Sequence, residues 1–154
     1  MSDRMRRVLL GEDSKVFARA HEITLRKAGF EVIITQDGIA ALEAARTNRP
    51  DLIILDLMLP KLQGQTVLRE LKKDSATSKI PVIIYSGLPE SNGRKLIRAG
   101  AHSYMEKNKI SSDDFLAAVE EVFTLETQAH KQKLASCHQY WAEYATISSI
   151  PATV

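Results

Sequence analysis

Four apolar runs recur along the chain: Val8-Leu9-Leu10, Val32-Ile33-Ile34, Leu52-Ile53-Ile54-Leu55 and Val82-Ile83-Ile84-Tyr85. Each is a continuous block, with no alternation of apolar and polar positions. A strand of that kind has no face to offer water, so the runs suit a parallel sheet covered on both sides. A weaker fifth run is Ser103-Tyr104-Met105.

Between the runs the apolar period lengthens to that of a helix. Val16, Ala20 and Ile23 fall at steps of four and three and predict one helix face, with Gly29 as its stop. Ala41, Ala44 and Ala45 predict a second helix, with Pro50 beyond it. Val67, Leu68 and Leu71 predict a third, opened by Gly64. Leu96, Ile97 and Ala99 predict a fourth, stopped by Gly100. Phe115, Ala118, Val119, Val122 and Phe123 form the most regular stripe and predict a fifth. Ser112, followed by Asp113 and Asp114, is its expected N-cap, because oxygen acceptors and negative charge suit the positive end of a helix. Strand and helix thus alternate five times with short connections. Right-handed crossovers then require an α/β, doubly wound, five-stranded parallel sheet with helices on both faces.

Size and charge narrow the picture further. The 154 residues fit one domain, and the formal net charge of +2 comes from interleaved signs. Neither direct DNA binding nor membrane association is expected from that balance. A lone cysteine, Cys137, permits no internal disulfide and suits a reducing compartment. No stretch approaches the ~20 apolar residues of a membrane span. A cytoplasmic protein is expected.

In an open α/β sheet, ligands bind beyond the carboxyl ends of the strands. The residues expected there are Glu12 and Asp13 after the first strand, Asp56 after the third, Ser86 after the fourth and Lys107 after the fifth. Three neighbouring carboxylates raise one another's pKa unless a cation sits among them, and hard oxygen ligands suit Mg²⁺. Such an ion would neutralise an incoming phosphoryl group, and Lys107 could meet another of its oxygens. Asp51 competes with Asp56, but five extended residues separate them by roughly 16 Å. Asp51 therefore belongs to the opposite rim, as a turn residue after Pro50.

Glu12-Asp13-Ser14, the run from Arg49 to Pro60 around Asp56, Gly64, Ser86-Gly87 and Tyr104-Met105-Glu106-Lys107 resemble the receiver domains of bacterial two-component systems, in uninterrupted order over residues 6–124. The resemblance implies a single-domain, chemotaxis-regulator-like protein with a flavodoxin-like strand order 2-1-3-4-5. It implies that Asp56 accepts a phosphoryl group, and that Glu12, Asp13, Asp56 and the backbone carbonyl of Met58 hold Mg²⁺ or Mn²⁺. Ser86 and Lys107 would contact the phosphoryl group, and Tyr104 would switch with it to alter an output face. Met58 and Leu88 would flank the water that hydrolyses the acyl phosphate. Both are apolar and cannot orient that water, so a long-lived signal is expected. The implied partners are a sensor histidine kinase or histidine phosphotransfer protein, an output protein, and a second copy in a homodimer. No enzymatic activity is implied beyond the chain's own phosphorylation and dephosphorylation.

Two other functions fit part of the pattern: a receiver-like scaffold that works without phosphate, and a metal-dependent aspartyl phosphohydrolase. The second usually needs Asp-x-Asp, and Asp56-Leu57-Met58 supplies no second acid. Receiver domains usually place a proline after the lysine, where this chain has Asn108. A cis bond there would cost ~2.5–4 kcal/mol, so a trans bond is expected. Lys109 could stand in for Lys107, but the three-residue step from Tyr104 favours Lys107.

The receiver domain is expected to span residues 1–124. Residues 125–154 are read as a helical extension or second helix packing on the domain or on a partner. Leu134, Cys137, Trp141 and Tyr144 fall there at steps of three and four. The segment is too short for a winged-helix output domain and carries no basic stripe. His130, Cys137 and His138 lack the repeated spacing of a zinc site.

Overall fold

A computed structural model describes residues 4–148 other than 90 and 92, with side chains through Ser136. The elements are β1 (Arg7–Gly11), α1 (Lys15–Lys27), β2 (Glu31–Thr35), α2 (Gly38–Asn48), β3 (Leu52–Leu55), α3 (Gly64–Lys73), β4 (Val82–Ser86), α4 (Gly93–Arg98), β5 (Ser103–Glu106) and α5 (Ser112–Ser148). The strands form one all-parallel sheet in the order β2-β1-β3-β4-β5. The topology reverses between β1 and β3, the switch point at which such sheets bind ligands. Gly11 pairs with Leu55 there, so the next residues, Glu12 and Asp56, leave the sheet side by side.

The continuous apolar runs are buried on both faces. On one, Leu9, Ile53, Leu55, Val82 and Ile84 pack with Ala41 and Ala45 of α2, Val67, Leu68 and Leu71 of α3, and Leu96 of α4. Each fully buried valine, leucine or isoleucine among them contributes about 1.5–3 kcal/mol. On the other face, Tyr85 of β4 meets His21 of α1 and Phe115 at the start of α5.

Three local expectations are corrected. The buried face of α1 is Ala18, His21 and Leu25, whereas Val16 is 80% exposed and Ile23 41%. The helix carries two stripes of similar spacing, and the inner one contains a histidine that apolar periodicity passes over. Of the stripe expected for α4 only Leu96 is buried, with Ile97 and Ala99 facing outward, because the helix is six residues long and makes little more than one turn. The N-cap of α5 is Ser111, not Ser112. Ser111 Oγ accepts from Asp114 N at 3.1 Å, while the Asp114 carboxylate accepts from Ser111 N and Oγ at 3.1 and 2.8 Å, a reciprocal capping box.

Asp51 does lie on the opposite rim from Asp56, where it is a clasp: its carboxylate accepts from Arg7 N and from the Arg4 guanidinium. No cis peptide bond occurs among the described residues, and the bond to Asn108 is trans as expected.

The chain divides after Leu116 into two compact units. Helix α5 is continuous through that division and through position 124. In the second unit Val119, Val122 and Phe123 are buried, whereas Leu125 and Leu134 are exposed. The side chains of Cys137, His138, Trp141 and Tyr144 lie outside the described residues. Among the described residues, no helix is long and apolar enough to cross a membrane.

Candidate acidic site at the sheet edge

Three elements bring the acids together. Glu12 and Asp13 follow β1, and Asp56 follows β3, where its N–H donates to Gly11 O at 3.0 Å. One oxygen from each carboxylate lies within 4.8 Å of the other two. Glu12 and Asp56 are buried at 1% and 5% exposure, whereas Asp13 faces solvent. The donors are all hard oxygens and one is open to water, which fits a hexacoordinate divalent ion that keeps some of its waters.

Lys107 supplies the charge the acids need. Its Nζ donates to Glu12 Oε2 at 2.5 Å and to Asp56 Oδ2 at 2.8 Å, with only 9% of the side chain exposed. The lysine is placed by β5, since Lys107 N donates to Ser86 O at 2.8 Å. Lys109 instead pairs with Glu106 at 3.1 Å. The other oxygens of the two buried acids are also taken. Ser14 N donates to Glu12 Oε1 and Met58 N to Asp56 Oδ1, both at 3.1 Å.

Burial pushes the Glu12 carboxyl above its ordinary range, against the opposing pull of the Lys107 hydrogen bond. Burial alone would lower Lys107, but the hydrogen bonds to Asp56 and Glu12 outweigh it and hold the ammonium above its ordinary value. The amine therefore stays charged while its partners do.

Two aromatic rings wall this ammonium: Tyr85, from the fourth apolar run, and Phe17, which the periodic pattern did not single out. The Phe17 ring centroid lies 4.9 Å from Lys107 Nζ and the Tyr85 centroid 5.5 Å, within reach of cation–π attraction. Phe17 lies four residues after Asp13, a position with no distinguishing signal in the sequence.

The remaining expected residues surround the acids. Ser86 is fully buried, and its Oγ accepts from Leu88 N at 3.3 Å. Tyr104 is half-buried, and its hydroxyl donates to Leu88 O at 2.6 Å, tying β5 to the loop after β4. Met58 and Leu88 line, with Asp13, a cavity of about 540 Å³ that runs on to Lys95 of α4. Backbone packing fixes one side of the site. A Cβ at Gly64 would stand 2.1 Å from the carbonyl oxygen of Asp56, so only glycine lets α3 start so close to it. A Cβ at Gly87, beyond β4, would meet no atom of the described residues within 4 Å.

Comparison with known proteins follows the same outline. Among curated relatives, the chain is 39% identical over 101 residues to the transcriptional regulatory protein CseB of Streptomyces avermitilis, covering 65% of this chain and 42% of that one. This chain thus spans less than half the length of that relative. It is 34% identical over 101 residues to the polar-differentiation response regulator DivK of Brucella anthropi, covering 65% and 82%. Among solved structures, the receiver domain of a sensor histidine kinase from Pseudomonas aeruginosa, with a magnesium ion in its active site cleft, superposes with a TM-score of 0.69 at 27% identity, covering 77% of this chain and 97% of that one. The family model for the response regulator receiver domain matches residues 8–120, which contain every strand but the first residue of β1 and every acid of the site. The chain belongs to the response regulator receiver domain family.

Proposed function

We propose that this chain is a phosphorylation-driven switch in which Asp56 takes a phosphoryl group from a phosphohistidine on a sensor histidine kinase or histidine phosphotransfer protein. The observation that carries this reading is the Asp56 carboxylate itself. It is buried at a strand end, held through both oxygens, and flanked by two further acids and an ammonium. An Asp56 oxygen forms the new O–P bond as the N–P bond breaks, and the departing imidazole keeps the bonding pair and takes up a proton.

Glu12, Asp13, Asp56 and the Met58 backbone carbonyl would hold Mg²⁺ or Mn²⁺. The ion supplies positive charge against the phosphoryl oxygens when bound. Lys107 is positioned to exchange its bond to Asp56 for one to a phosphoryl oxygen, and the buried Ser86 hydroxyl offers another donor. If Ser86 turns toward the phosphoryl group, Leu88 N loses its acceptor. Leu88 O is also the acceptor of the Tyr104 hydroxyl, so the loop change reaches β5 through one residue. The output is a changed surface for a protein partner or for a second copy in a homodimer, inside the cytoplasm. Residues 125–154 are read as an extension beyond the receiver domain proper, packing on it or on a partner.

The test is intact-mass measurement after incubation with acetyl phosphate and Mg²⁺. Wild type should gain one phosphoryl group and Asp56→Asn none, because the amide nearly matches the carboxylate in shape but is a poor nucleophile. A phosphorylated Asn variant would move the acceptor elsewhere.

A further inference from the structure

Arg69, Lys72 and Lys73 of α3 and Lys95 of α4 surround a cleft of about 560 Å³ floored by Leu96 and Ala99. No carboxylate among the described residues lines it. Cations gathered around one cleft repel one another unless an anion enters.

Part of this charge has a local explanation. Lys72 Nζ donates to the carbonyls of Ser78 and Ile80 at 3.1 and 2.8 Å, and Lys73 leans on Glu70 at 3.6 Å. Both also occupy the last turn of α3, where the negative end of the helix favours a cation. Neither explanation reaches Arg69, and only the helix-end one reaches Lys95, in the last turn of the short α4. Both are exposed, and among the described residues neither pairs with an acid. Arg94 and Arg98 carry the same sign along α4, which has no acid at all.

The form of the cleft discriminates between anions. A compact phosphate is usually gripped at a helix N-terminus or by a convergent arginine fork. Here the α3 cations come from the C-terminal half of the helix, whose dipole works against a concentrated negative charge. They stand on long stems around an apolar floor, with Arg69 one turn from Lys73 and Lys95 on the other wall. That arrangement suits carboxylates strung along a chain, with an apolar side chain between them for Leu96 and Ala99. We propose that the α3–α4 cleft docks an acidic segment of a partner protein, with glutamates or aspartates beside one apolar residue. Gln65, Lys95 and Leu96 also line the cavity bounded by Asp13, Met58 and Leu88, so the docked segment lies next to the acidic site. Docking needs no phosphoryl group, so the test stands whether or not Asp56 is the acceptor.

The probe is a short fluorescent peptide of glutamates around one leucine, titrated by anisotropy against the full chain. Wild type should bind it, and more weakly as salt is added. Arg69→Glu with Lys95→Glu should weaken binding by ~10-fold or more, since like charges then face each other across the cleft. Lys15→Glu with Lys27→Glu changes the net charge equally on α1 and should leave binding within about twofold. Arg69→Gln with Lys95→Gln gives the same ordering with less effect and serves if the reversed pair melts early. No binding to wild type, or equal losses in cleft and α1 variants, overturns the proposal. Pyrophosphate displacing the peptide at equal concentration also overturns it, by assigning the cleft to phosphates.

Discussion

His21 is a buried ionisable group that the acidic site does not use. It is 6% exposed, its ring stacks 4.1 Å from Phe115 and meets Tyr85 edge-on at 4.9 Å, and its Nε2 has no hydrogen-bond partner among the described residues. Burial, with a smaller push from the Lys107 charge, lowers its pKa from 6.5 to about 4. A base whose folded-state pKa is depressed lends stability that is complete above the unfolded value of 6.5 and lost as pH falls toward about 4. Over that whole window the loss is at most about 3 kcal/mol, and between about pH 7 and about pH 5 it is about 2 kcal/mol. His21→Phe keeps a ring against Phe115 and Tyr85 but cannot titrate. Its stability should fall by about 2 kcal/mol less than that of wild type over the same pH change. At neutral pH it should match or exceed wild type, since an unpaired buried nitrogen costs ~1–3 kcal/mol. The assay is urea unfolding followed by far-UV circular dichroism at the two pH values. Glu12, raised by burial, contributes with the opposite sign, but it does so in both proteins and cancels in the difference. Parallel acid losses in wild type and variant would refute the assignment of this proton to His21.

Two further outcomes are expected. Lys107→Met leaves Glu12 and Asp56 buried without a counter-ion and should destabilise the chelator-treated protein by ~3–5 kcal/mol. Mg²⁺ should then raise the melting temperature of the variant more than that of wild type, and an equal Mg²⁺ response in both would count against a cation site at these acids. Met58→Asn with Leu88→Glu should shorten the life of phospho-Asp56 by ~10-fold or more, because polar groups beside the acceptor can orient a water. The decay is followed by intact mass with Mg²⁺ present, and an equal or slower decay ends the idea.

The sheet and the contents of its edge were legible because two strong rules act together. Continuous apolar runs mark doubly covered strands, and parallel strands all present their carboxyl ends to one rim. The sequence therefore places Glu12, Asp13, Asp56 and Lys107 together, and the fold brings them together. What stayed hidden depends on three-dimensional neighbours that spacing does not encode. Apolar spacing on α1 fits two faces, and the inner one holds His21, covered by the stacked ring of Phe115 and the edge-on ring of Tyr85. Ser111 and Ser112 are equally good caps on paper, and the reach of Asp114 back to Ser111 decides between them. Phe17 gives no sign in the sequence that it will cover an ammonium donated by the far end of the sheet.

The two glycines beside the acids divide the site into a fixed half and a free half. At Gly64 the start of α3 is pressed against the backbone of the acceptor residue, with no room for even a methyl group. The acceptor cannot shift toward α3 without unseating a helix whose Val67, Leu68 and Leu71 are all fully buried. At Gly87 a side chain would meet none of the described residues within 4 Å, and the helix that follows has six residues and one buried leucine. A load placed on Asp56 therefore meets an anvil on one side and a hinge on the other. Substitutions around Gly64 should be rejected for structural reasons alone, whereas the stretch after Ser86 is where sequence can vary to retune the response while the acid cluster stays in place.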